Sequence, residues 1–77
     1  MAFNNKEMSV VAYANGFTLW QYTSNVDKLE DICELGYFNR IITLANTGDI
    51  VIINGKDSTG IRYMELVGED IWIRELK

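Results

Sequence analysis

Residues 9–23 read "SVVAYANGFTLWQYT". Asn15-Gly16 stands between two apolar runs. A two-residue type I′ loop prefers that pair, because both of its central positions need a positive φ. The stretch therefore predicts an antiparallel hairpin of 9–14 with 17–23, setting Ala14 opposite Phe17 and Ala12 opposite Leu19. The second arm is apolar on both faces. Phe17 and Leu19 point one way, Trp20 and Tyr22 the other. Such a strand wants cover on both sides.

Outward from this hairpin, "SNVDKLEDICELG" (24–36) places Val26, Leu29, Ile32 and Cys33 at helical spacing. Ser24 and Asp27 form a variant capping box, with Asp in place of Glu. Asp27, Glu30 and Asp31 stand early, where the helix dipole favours negative charge. Gly36 is a natural stop. These signals predict a short helix near 25–35. "YFNRIITLANTG" (37–48) has no clean period and reads as an irregular connection ending on a Thr47-Gly48 turn. "DIVIING" follows with a continuous apolar run, Ile50 to Ile53, as in strands covered on both faces. After the turn-rich "NGKDSTG", "IRYMELV" and "IWIREL" flank Gly68-Glu69-Asp70 and predict a second antiparallel hairpin. There Ile61, Tyr63 and Val67 share a face interrupted by Glu65, and Trp72 faces away from Ile71 and Ile73. Residues 1–8, "MAFNNKEM", read as a flexible N-terminal arm, with Phe3 as the one residue able to dock it. The expected fold is mainly β: a small antiparallel β-barrel or sandwich of about five strands with one short α-helix, forming a single domain over 9–77.

A chain of 77 residues makes one domain. A core of that size supplies only roughly 3–5 kcal/mol. One cysteine, Cys33, excludes an internal disulfide, and with no histidine the commonest metal ligand is missing. A partner chain is the remaining stabiliser, and 48% hydrophobic residues is much for so small a body to bury alone. The net charge of −4 and seven scattered basic residues argue against a nucleic-acid partner, which needs a clustered positive face. No apolar run approaches the length of a membrane span, and the amino terminus lacks the pattern of a secretory signal. Synthesis in a cytoplasm is expected; a lone cysteine fits a reducing compartment.

Chemistry is sparse. Without histidine, no nucleophile stands beside a recognisable base, and Cys33 reads as a small buried hydrophobe. "GKDSTG" (55–60) lacks the order of a phosphate loop, since Asp57 interrupts it and a strand follows. Its residue types are those that turns use. The acidic run Asp27, Glu30, Asp31 and Glu34 lacks the glycine and closing Glu of a calcium loop; it reads as a solvated helix face, or as a contact for a basic partner surface. Neither a catalytic group, a cofactor nor a metal is expected, and the chain does not read as an enzyme. The aromatic residues divide between core and interface, because Trp and Tyr are enriched at interface hot spots.

Three pieces in order, "ANGFTLWQY" (14–22), "GYFN" (36–39) and "GDIVI" (48–52), with a 12-residue step from Gly36 to Gly48, resemble a family of small phage and prophage proteins. The resemblance covers residues 12–54. It departs at Arg40-Ile41, where relatives often have Pro or Ala. It implies a phage context and a virion structural role, with no catalytic residues. The expectation that follows is a non-enzymatic virion protein, a capsid-associated decoration or head-fibre component that self-associates or docks on the capsid protein. Its interface would draw on Phe17, Leu19, Trp20, Tyr22, Tyr37, Phe38 and Trp72. The rival expectation is a phage-encoded acidic inhibitor of a host protein.

Overall fold

The computed structural model describes residues 3–14 and 16–75. Its elements in chain order are β1 (Met8–Ala14), β2 (Phe17–Thr23), α1 (Leu29–Ile32), β3 (Ile50–Asn54), β4 (Thr59–Val67) and β5 (Asp70–Glu75). The strands form one sheet in the order β1-β2-β3-β4-β5. Strand count, helix count and β-rich class follow the sequence expectation. The closure and pairing do not. The sheet stays open, without barrel closure or a second layer of strands, and β2 pairs with β3 in parallel. The reason lies in the connection between them. Residues 24–49 carry the chain back across one face of the sheet, and a parallel pair needs such a crossover.

The first hairpin keeps the expected register, with Ala14 opposite Phe17 and Ala12 opposite Leu19. Gly16 has φ 82, the positive value its turn requires. Asn15 lies outside the described residues. One irregularity was not legible: a bulge between Val10 and Ala12, which leaves Val11 without an opposite residue on β2. The second hairpin turns through Gly68, with φ 63, and Glu69.

The crossover covers the inner face. Trp20 and Tyr22 of β2, Val51 and Ile53 of β3, Met64 of β4 and Ile71 of β5 meet Ile32, Phe38, Ile41 and Ala45 from above. The alternation of β2 is regular, with Thr18, Trp20 and Tyr22 buried and the residues between them half-buried. The expected three-turn helix shrinks to four residues. Ser24 Oγ does accept the backbone N–H groups of Val26 (3.2 Å) and Asp27 (3.0 Å), but the box closes a turn before the helix. Lys28 is then extended, and Val26, expected on the apolar stripe, is 74% exposed. The helix begins where Asp57, from the 55–58 loop, accepts the Leu29 N–H at 2.9 Å. Tertiary contact therefore places the start that local signals put earlier.

The arm expected over 1–8 is tied down from Phe3 onward. Phe3 stacks on Tyr22 at 5.3 Å between ring centroids and meets Phe38 edge-on at 5.5 Å. A 3-10 turn at Asn5–Glu7 leads into β1. Met1 and Ala2 lie outside the described residues. Residues 37–48 are irregular as expected, with a 3-10 turn at Asn39–Ile41.

Candidate interaction surface

Two buried carboxylates fix the crossover to the sheet. Asp49 is 1% exposed. Its Oδ1 accepts the Thr18 N–H at 3.0 Å, and its Oδ2 accepts the Trp20 indole N–H at 3.1 Å and the Asn46 N–H at 3.0 Å. The backbone of Asp49 accepts the Met64 N–H at 2.8 Å. One residue thus joins β2, β4 and the end of the crossover. Asp27 is 2% exposed and takes part in a hydrogen-bonded chain. The Asn4 N–H donates to the Tyr22 hydroxyl, the Tyr22 and Tyr37 hydroxyls are 2.9 Å apart, and the Tyr37 hydroxyl donates to Asp27 Oδ2 at 2.6 Å. Burial first, then the bonds to Asp27 and Tyr22, push the Tyr37 phenol well above its usual range. These polar groups are structural: among the described residues, every buried side-chain nitrogen and oxygen has a partner. Sequence reasoning read Asp49 only as part of "GDIVI"; its burial depends on donors 29 and 31 residues away.

A cleft of about 470 Å³ lies beside α1, lined among others by Lys28, Glu30, Cys33, Asp57, Arg62 and Glu75. Its charges are of both signs. Burial pushes the Cys33 thiol up, against a smaller opposing pull from Arg62. A thiol held protonated is a poor nucleophile. The "GKDSTG" loop is a structural clamp. The Gly55 N–H bonds the Ser58 carbonyl at 2.9 Å, the Lys56 N–H bonds the Asp27 carbonyl at 2.9 Å, and Asp57 caps α1. The bond from Leu29 holds the exposed Asp57 carboxyl below its ordinary value. Among the described residues no cluster of three or more His, Cys, Asp or Glu could hold a metal ion. Among them, too, no helix is long and apolar enough to cross a membrane.

The seven candidate interface residues divide. Trp20, Tyr22 and Phe38 are buried in the chain's own core, at 6%, 1% and 0% exposure, and Tyr37 is held beside them. Phe17, Leu19 and Trp72 stand on the opposite, outer face of the sheet. The sequence could not assign these sides, because both faces of β2 are apolar.

That outer face has no cover from the described residues. One cross-strand row runs Ala12, Leu19, Ile50, Tyr63, Arg74. The next runs Ser9, Gln21, Ile52, Ile61. Trp72 lies opposite Glu65 on the neighbouring strand, and Arg74 joins them: its guanidinium lies 4.6 Å from the Trp72 ring centroid, and its Nε is 2.7 Å from Glu65 Oε1. Among the described residues the Glu65–Arg74 pair on this face neutralises itself, which leaves a largely uncharged apolar sheet surface. Phe17, Ile61 and Val67 are each more than 40% exposed there. Ile50, Ile52, Ile61 and Tyr63 were not among the expected interface residues. The unbroken apolar run of β3 was the available signal.

No protein-family model, curated protein or solved structure matches the chain.

Proposed function

We propose that this protein is a non-enzymatic virion component of a phage, made in the host cytoplasm, that docks on a capsid protein through the outer face of its sheet. A capsid-associated decoration or head-fibre role fits best. The observation that carries the docking is β3. It is a central strand, apolar on both sides, yet the described residues cover only one of them: Val51 and Ile53 are fully buried while Ile50 and Ile52 are only partly so. A contiguous apolar surface of this kind marks a contact with another protein. Its self-neutralised charge fits an apolar partner surface better than a charged groove. The phage setting rests on the resemblance carried by residues 12–54. Trp72, flanked by Arg74, has the chemistry of an interface anchor.

The double variant Ile52→Lys/Ile61→Lys places two cations on paired positions of the outer face. It should keep the wild-type circular dichroism and be lost from purified particles, while the wild type is found there in many copies by mass spectrometry. Absence of the wild type from particles, together with its recovery bound to a host enzyme, would replace this reading with the inhibitor. Incorporation of the double variant at wild-type level would remove the outer face from the mechanism.

A further inference from the structure

We propose that Phe3 and Asn4 act as an intramolecular ligand: they fill a ring site built by Tyr22, Tyr37 and Phe38, leave it without unfolding the sheet, and the emptied site takes the phenyl side chain of another peptide. The site lies on the inner side of the sheet and is separate from the outer face proposed for docking.

The site is complete without its occupant. Tyr22 and Phe38 have ring centroids 5.2 Å apart, Tyr37 and Phe38 5.2 Å, and Tyr22 and Tyr37 5.7 Å, each pair edge to face. β2 sets Tyr22, and the crossover sets Tyr37 and Phe38. The two phenol hydroxyls, joined to each other and on to Asp27, fix the orientation of both tyrosines. Phe3 adds the fourth ring. It lies at 15° to Tyr22, and at 68° and 86° to Phe38 and Tyr37. Rings attract in those stacked and edge-on geometries, so the site favours a flat aromatic group over any apolar group of its size.

The occupant is separable from the domain. Phe3 is half-buried, and Asn4, Lys6 and Glu7 are exposed. The Asn4 N–H donates to the Tyr22 hydroxyl at 3.1 Å. The Lys6 and Glu7 N–H groups instead turn back onto Asn4. The segment thus carries its own turn and can swing as a unit about the start of β1. A cleft of about 270 Å³ separates Asn4 and Glu7 from the 24–26 turn, with Tyr22 also lining it. A segment with few buried contacts and exposed backbone opens locally, without global unfolding.

The ligand is defined by what the site holds: a phenyl ring, followed by a backbone N–H for the Tyr22 hydroxyl. N-acetyl-phenylalanine methylamide carries both groups and is the probe. The experiment is a nuclear magnetic resonance titration of the full chain. Phe3→Ala should keep the wild-type circular dichroism and bind the probe, with shifts at Tyr22, Tyr37 and Phe38. The wild type should bind it at least about tenfold more weakly, the factor for a site closed at least about nine-tenths of the time. The cyclohexylalanine counterpart of the probe, apolar but not aromatic, should bind Phe3→Ala at least about twofold more weakly. In the wild type without probe, the Asn4 amide should exchange with solvent at least about tenfold faster than the β3 amides. An unfolded Phe3→Ala overturns the proposal, because the site must stand without its occupant. So does a folded Phe3→Ala that does not bind, equal binding by the wild type, or equal binding of the cyclohexyl probe. An Asn4 amide that exchanges only with global unfolding also sinks it, and that measurement needs no variant. Particle incorporation is measured separately, so the docking proposal and this one fail independently.

Discussion

Asp49→Ala tests what joins the crossover to the sheet. The substitution removes both acceptor oxygens from three donors: Thr18 N–H, Trp20 Nε1–H and Asn46 N–H. The first two are buried; the third is partly exposed and can bond water instead. Each buried donor left without a partner costs about 1–3 kcal/mol, so the two cost about 2–6 kcal/mol. A chain of 77 residues has a total stability of about 4–12 kcal/mol at ~0.05–0.15 kcal/mol per residue. Asp49→Ala should therefore lose about half of the chain's stability. Asp49→Asn keeps one oxygen. With that oxygen toward Trp20 and Asn46, its amide faces the Thr18 N–H, and one bond is lost at about 1–3 kcal/mol. The assay is urea unfolding followed by far-ultraviolet circular dichroism, reading the midpoint at constant slope. The expected order of midpoints is wild type, Asp49→Asn, Asp49→Ala. If Asp49→Ala lies within ~1 kcal/mol of the wild type, the carboxylate does not hold the crossover and the reasoning is refuted.

Gly55→Ala should destabilise the fold by about 1–3 kcal/mol, since a Cβ there would lie 2.5 Å from the Leu29 backbone nitrogen; a thermal melt equal to wild type would count against this close approach. Tyr37→Phe removes the donor to Asp27 and a partner of Tyr22, and should cost about 1–3 kcal/mol in the same urea assay. The raised Tyr37 phenol also gives stability a sign with pH. Below the ordinary phenol value of 10.0 both folded and unfolded states hold the proton. Above it the unfolded state releases the proton first, so stability falls as pH rises. Tyr37→Phe should flatten that alkaline decline, and an unchanged slope in urea melts between pH 9 and 11 would exclude Tyr37 as its source. Trp72→Ala should leave the fold intact, with a stability loss no larger than about 1 kcal/mol, while weakening particle binding; global unfolding would place Trp72 in the core instead.

Local patterns made the strands legible. Asn15-Gly16 between apolar arms gave the first hairpin with its register, and Gly68-Glu69 between alternating runs gave the second. The outer-face set Ile61, Tyr63 and Val67 was also readable, because side chains alternate with a period of two. The helix was misplaced because its start depends on Asp57 and Gly55, which contribute from a distant loop. Phe3 looked like part of a loose arm because its aromatic partners lie 19 to 35 residues away.

The sequence by itself determined how many strands there are, where they turn and which residues alternate, since these follow from periodicity and backbone preference over a few neighbours. It also determined that there is more apolar strand surface than one small core can use. The tertiary structure alone decided which side of each strand is the core. With both faces of β2 and β3 apolar, the choice fell to the crossover of 24–49, held by Asp49 and Asp27, which can cover only one face. That decision turned Trp20, Tyr22 and Phe38 inward and left Leu19, Ile50, Ile52, Ile61, Tyr63 and Trp72 outside. Local sequence cannot encode it, because the donors that satisfy Asp49 become neighbours only when the sheet has formed.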